Sequence, residues 1–84
     1  MSLKLALNDL EEYQTLTSQE GSHIDDLRLS LKCFFLKSKW LAKQDKLLLR
    51  QRALNQLEQE RRFCRTTYNF EAEEVISSLV NLLV

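Results

Sequence analysis

The sequence contains no proline and a single glycine, Gly21. Helix interiors are therefore free of the two residues that break them, and the turns must form without the residues that turn most easily. There are two cysteines, Cys33 and Cys64. They are too few for a disulfide framework and belong to no C-x-x-C pair, so they read as reduced core thiols of a cytoplasmic protein. The only histidine is His23, near Asp25 and Asp26. No nucleophile is placed against it in the sequence and no His/Cys/Asp/Glu cluster has ligand spacing, which leaves a surface role. The expectation is a chain that is not an enzyme and has no catalytic residue, metal or cofactor. No stretch reaches the roughly 18–20 apolar residues needed to span a bilayer, and MSLKLALNDLEE turns acidic where a secretory signal stays apolar. A soluble protein with no membrane span is expected.

What the chain has is leucine, eighteen by count, within a composition that is 44% hydrophobic. That is the composition of a helical protein and not of a disordered tail. Its 84 residues allow one domain, 1–84, expected to be all-α: a small antiparallel helical hairpin or bundle of three to four helices. At this size the stabilisation from burying each Leu or Phe, roughly 1.5–3 kcal/mol, barely exceeds the cost of ordering the chain, roughly 1.5 kcal/mol per residue. A partner or a second copy would therefore add materially to its stability.

Net charge is zero but unevenly spread. Residues 1–27 carry one lysine against six acids, residues 28–65 eleven bases against three acids, and residues 66–84 three glutamates and no base. Acidic ends around a basic middle imply that the terminal segments fold back on the central one.

Leu3, Leu7, Leu10 and Tyr13 recur at helical spacing and predict a first helix over about 2–16. TSQEGS ends it, with Gly21 as the residue that readily takes positive φ. Ser22 before Asp25 and Asp26 reads as an N-cap with an acidic first turn, and Thr17 with Glu20 forms a competing capping box. The second helix, about 22–42, carries two apolar stripes: Ile24, Leu27, Leu31 and Phe34, and then Leu29, Cys33, Leu36 and Trp40. Periodicity is lost within KSKWLAKQDK, and Asp45 is placed to cap the leucines after it, which predicts a turn near residues 42–46. A third helix, about 46–66, has Leu47, Leu54, Leu57, Cys64 and Tyr68 on its apolar side and ALNQLEQERR as its solvated face. Asn69 is a good N-cap for a fourth, about 70–83, with Ala72, Val75, Ile76, Leu79, Leu82 and Leu83 in a broad apolar stripe and a docked C-terminus.

RLSLKCFFLKSKWL, Arg28 to Leu41, is apolar nearly all round, and Phe34 and Phe35 diverge by about 100° on a helix. One side is expected to meet the chain's own helices and the other a second polypeptide. The candidate partner-binding residues are Leu29, Cys33, Leu36, Trp40 and Phe35, with Ile76, Leu79 and Leu83 of the last helix. Lys32, Lys39, Lys43, Lys46 and Arg50 would align on one face if residues 28–52 formed a single helix, and such a stripe follows a phosphate backbone. No helix-turn-helix glycine turn or zinc spacing accompanies it, so nucleic acid is the weaker reading.

LNDLEE (Leu7 to Glu12), a polar break with Ser18 and Glu20, the Leu27–Arg28 pair, and Ala53 and Leu54 leading to RRFCRTTY together resemble the small helical co-chaperones of type III secretion needle subunits. The resemblance covers roughly residues 7–68. It implies a helical hairpin paired with a tetratricopeptide-like partner, the two keeping a needle subunit monomeric in the bacterial cytosol, with Leu29, Leu36 and Trp40 on the partner-facing side. The chain departs from that pattern in lacking a Gly-containing hairpin turn mid-chain and in adding an apolar helix over residues 70–84. The functional expectation is a helical adaptor or chaperone-like subunit that binds another helical protein. A homodimeric helical regulator associated with nucleic acid through the basic centre is the alternative.

Overall fold

Four helices follow one another in the computed structural model, which describes residues 2–19, 21–37 and 39–84, the side chain of Ser2 excepted. They are α1 (Ser2–Thr17), α2 (Ser22–Lys37), α3 (Lys43–Thr66) and α4 (Phe70–Leu83). Each helix packs against its neighbours in the chain, and α4 closes the ring on α1. Short connections between adjacent packed helices make consecutive helices antiparallel, so this is an all-α, four-helix up-and-down bundle.

The core forms where the periodic stripes meet. Ala6, Leu10 and Tyr13 of α1, Ile24, Leu27, Leu31 and Phe34 of α2, Ala53, Leu57 and Cys64 of α3, and Ala72, Val75, Ile76, Leu79 and Leu83 of α4 are all buried. The α2 stripe is the expected one. On α3 the reading changes: Ala53 is wholly buried, whereas Leu47 and Tyr68, expected on the apolar side, are exposed. Cys64 packs in the core as a free thiol and Cys33 is half-buried.

Helix ends show where sequence chemistry sufficed and where it did not. Asn69 caps α4 as expected, its side chain accepting from the Ala72 N–H at 3.2 Å. The same side chain donates through Nδ2 to the Leu16 carbonyl at 3.1 Å and so ties the start of α4 to the end of α1. Asp45 does not cap α3: it lies inside the first turn, and Ala42 holds the N-cap position with no side-chain hydrogen bond. The second connection accordingly lies between Lys37 and Lys43, earlier than the expected 42–46. Ser22 is already helical, and the Asp25 N–H donates to the Gly21 carbonyl at 3.2 Å. The competing Thr17–Glu20 box falls partly outside the described residues.

Gly21 has φ 135°, a conformation side chains rarely adopt, but it is not the only residue with positive φ: Ser18 (54°) and Tyr68 (57°) share that sign. Tyr68 is the more instructive. The Asn69 N–H reaches the Cys64 carbonyl at 2.8 Å and the Tyr68 N–H the Arg65 carbonyl at 3.2 Å. These are the paired bonds of a Schellman stop, here with tyrosine in the left-handed position where glycine is usual.

Helix lengths make the bundle uneven. At 1.5 Å per residue, α3 with its 24 residues is about 36 Å long, whereas α1, α2 and α4 with 14–16 are about 21–24 Å. The longest dimension of the molecule, 39 Å, is that of α3. At the C-terminal end of α3 the helices are level: Tyr13 Oη donates to Glu60 Oε1 at 2.7 Å, and α4 starts three residues after α3 stops. The overhang of about 12 Å therefore lies at the opposite end, where α3 begins and α2 finishes. No residue of α3 before Ala53 is buried.

Candidate protein-binding groove

Several large apolar side chains stay in solvent along α2 and at the end where α3 outruns its neighbours, and others, Tyr68 and Phe70 among them, at the opposite end. Trp40 is 85% exposed, Leu48 69%, Leu29 59%, Leu36 58% and Leu47 48%. Leu29, Cys33 and Leu36 follow helical spacing along the outer side of α2, with Lys32 among them. Trp40 continues that series in number only: α2 ends at Lys37 and Trp40 lies in the turn, its N–H donating to the Lys37 carbonyl at 3.0 Å.

Between α2 and α3 runs an open apolar depression. One part, about 330 Å³, is lined by Cys33, Lys37, Leu41, Asp45, Leu48 and Leu49. A narrower part is lined by Leu29, Ser30, Cys33, Leu49 and Arg52. Cys33 and Leu49 belong to both, so the two parts form one groove from Leu29 and Arg52 to the mouth at Leu41. Its length is that of α2 from Leu29 past Lys37, about 12–16 Å, or two to three helical turns.

Three of the eight residues expected to face a partner line this groove or border it on α2: Leu29, Cys33 and Leu36. Trp40 stands exposed beside its mouth. The other four are corrected by the fold. Phe35 packs against the core and meets Phe34 edge-to-face, ring centroids 5.1 Å apart. Ile76, Leu79 and Leu83 are closed off inside the bundle, because the broad stripe of α4 is the surface on which α1 and α3 pack. The α3 wall, Leu48, Leu49 and Arg52, was missed. Its signal is the run Leu47–Leu48–Leu49, since three consecutive leucines span about 200° of a helix and cannot share one core.

Charge is segregated around the groove. The terminal helices α1 and α4 hold one lysine against six carboxylates, while α2 and α3 hold ten bases against five. The terminal helices do fold back beside the central pair, yet the charges barely neutralise one another. Arg65–Glu73 at 2.7 Å is the one ion pair between helices among the described residues; Arg28–Asp25, Arg61–Glu58 and Arg62–Glu58 each lie within a helix. Lys32, Lys37, Lys39, Lys43, Lys46 and Arg52 form no ion pair there, and Asp45 is the only acid between residues 27 and 57. Arg50 stacks its guanidinium over the Phe34 ring, 5.4 Å from the centroid. The turn at 39–42 separates α2 from α3, so the straight basic stripe that would follow a phosphate backbone does not form.

At the level end lies a partly buried polar group of a different kind. Gln19 Nε2 donates to Tyr13 Oη at 3.1 Å and to Glu60 Oε1 at 3.2 Å, and the Cys64 thiol donates to Tyr13 Oη at 3.6 Å. Burial pushes the Tyr13 hydroxyl well above its ordinary pKa, reinforced by its bonds to Glu60 and Cys64; burial also raises the Cys64 thiol. Such a thiol is a packed group and not an activated nucleophile. His23 is exposed and hydrogen-bonded to Gln19 Oε1. Among the described residues no group of His, Cys, Asp and Glu converges as a metal site, and no helix is long and apolar enough to cross a membrane.

Comparison with protein families, with curated proteins and with solved structures finds no match for this chain.

Proposed function

We propose that the chain is a non-enzymatic, cytoplasmic adaptor or chaperone-like subunit that binds another helical protein in the α2–α3 groove. The co-chaperones of type III secretion needle subunits, which it resembles, work in this manner. The observation that carries the reading is the continuous apolar groove from Leu29 to Leu41, two to three helical turns long, at the end where α3 outruns α1 and α4. An amphipathic helix set into an apolar groove is a standard mode of recognition. The mechanism is mutual burial. The partner's apolar face is withdrawn from self-assembly, and this chain gains the stability that a ligand of the folded state confers, about 2.7 kcal/mol at a hundredfold excess over Kd.

A symmetric homodimer through the same groove is disfavoured by its charge, since it brings together two faces that each carry an excess of lysine and arginine. The test is capture from the native cell with the wild-type chain and with Leu29→Glu/Leu36→Glu, read by mass spectrometry, with circular dichroism for helix content and analytical ultracentrifugation for the oligomeric state of each. A protein retained by the wild type and lost by the variant, with helix content unchanged, is the expected result. An identical set of captured proteins refutes the assigned face, and a monomer–dimer equilibrium abolished by the variant favours self-association instead.

A further inference from the structure

The groove's charge specifies its occupant further, on the reading that this face binds a helical protein. We infer that the bound segment is an acidic amphipathic helix of a different protein, with apolar residues at i, i+4 and i+7 and carboxylates on both flanks.

Shape sets the length. A groove of about 12–16 Å takes two to three turns, which is the reach of three or four apolar anchors at that spacing. The apolar floor and walls, Leu29, Cys33, Leu41, Leu48 and Leu49, accept those anchors, and Trp40 at the mouth offers a large rigid face to close over the last one.

Charge sets the flanks. Lys37 and Arg52 line the groove on opposite helices, and Lys32 stands between Leu29 and Leu36 on the exposed side of α2. Lys39, Lys43 and Lys46 crowd the hairpin tip, and none of these six is paired with a carboxylate among the described residues. Asp45 is the one acid in the lining, against Lys37 and Arg52 there and Lys32, Lys39, Lys43 and Lys46 around it. A basic helix entering the groove meets like charge on both walls, whereas an acidic one finds partners already held in place by α2 and α3. The chain's own acidic helices do not fill this role, because the fold sets α1 and α4 on the far side of α2 and α3.

Trp40 is the only tryptophan and directly precedes Leu41 of the lining, so its emission reports binding at that end of the groove. The probes are a tryptophan-free 16-residue helical peptide with leucines at i, i+4, i+7 and i+11 and glutamates between them, its lysine-for-glutamate counterpart, and phosphatidylserine vesicles. The full chain is titrated with each at low and at physiological salt. The inference expects a blue shift and at least tenfold tighter binding of the glutamate peptide than of the lysine peptide. That ratio should shrink as the screening length drops below about 10 Å, and Lys37→Glu/Arg52→Glu should reverse the preference. Both variant positions lie outside the core, so folding is retained. Equal affinities for the two peptides overturn the inference about charge while leaving the groove as a protein site. Failure of both peptides to bind overturns the acidic-helix inference, and a response to vesicles alone overturns it in favour of a lipid surface. The protein-binding reading itself stands or falls separately, on whether Leu29→Glu/Leu36→Glu loses a captured partner.

Discussion

Leu79→Ala and Leu36→Ala make the most informative pair of substitutions, because both leucines belong to helical apolar stripes and the structure assigns them opposite roles. Leu79 is fully enclosed between α4 and its neighbours, while Leu36 is 58% exposed on α2. Truncating an enclosed leucine removes its transfer free energy and leaves a cavity, together about 3–4 kcal/mol. A domain of 84 residues has a total stability of roughly 4–13 kcal/mol at 0.05–0.15 kcal/mol per residue. Leu79→Ala therefore removes a quarter of it at the least and most of it at the worst, lowering Tm by about 12–30 °C at the usual 4–8 °C per kcal/mol. Leu36→Ala loses less than half of a leucine's burial and gains alanine's helix propensity, so its cost is under about 1 kcal/mol. Urea titrations followed by circular dichroism measure both, with an unchanged m-value as the sign that the fold is intact. Comparable losses for the two, or a loss below 1 kcal/mol for Leu79→Ala, refute the division of α4 as core and α2 as docking face.

Two further outcomes follow from the helix ends and the buried polar group. Tyr68 holds a left-handed conformation that costs a non-glycine residue about 1–2 kcal/mol, and its side chain is largely exposed. Tyr68→Gly should therefore raise stability by about 0.5–1 kcal/mol after the extra unfolded-state entropy of glycine, whereas Tyr68→Ala keeps the strain; a glycine variant no more stable than the alanine variant in thermal melts contradicts this. The protons on Tyr13 and Cys64 are held above their ordinary pKa values of 10.0 and 9.0 in the folded state. Their contribution is complete below about pH 9 and lost as pH rises, by up to about 1.4 kcal/mol per pH unit and group once the unfolded chain ionises. Tyr13→Phe should cost about 1–2 kcal/mol at neutral pH and flatten the loss above pH 10, and an unchanged alkaline slope would exclude Tyr13 as its source.

The parts of this fold that were legible in the sequence are those whose signal is local. Ile24, Leu27, Leu31 and Phe34 repeat at helical spacing and all reach the core, and Asn69 before three glutamates announces the cap of α4. The connection after α2 was displaced because a chain without proline and with glycine only at position 21 gives no local sign of where that helix must stop. The α4 stripe was misjudged for a deeper reason. Periodicity shows that a face is apolar but not what covers it, and Leu79 and Leu36 differ only in whether the ring of helices closes over them. The Tyr13–Glu60–Gln19 group had no sequence signal, since Tyr13 and Glu60 are 47 residues apart and meet only when α1 and α3 come level.

Helix length is the feature from which the candidate site follows. If α3 were as short as its neighbours, the bundle would end near Ala53, and Leu47, Leu48 and Leu49 would not exist as surface. With 24 residues it carries them past the ends of α1 and α4, and only the last turns of α2 remain to share their burial. Leu36, Trp40, Leu47 and Leu48 thus stay exposed together at this end, as Tyr68 and Phe70 do at the other, and the unpaired lysines are concentrated at the first. The lysines oppose the packing of two such ends on each other, because both carry the same excess of positive charge. On the proposed reading, the same charge favours an acidic partner, which would bury Leu29, Leu36 and Leu48 and neutralise the lysines in one step. On that reading, charge that opposes self-contact and favours one class of helix is what a holding subunit requires.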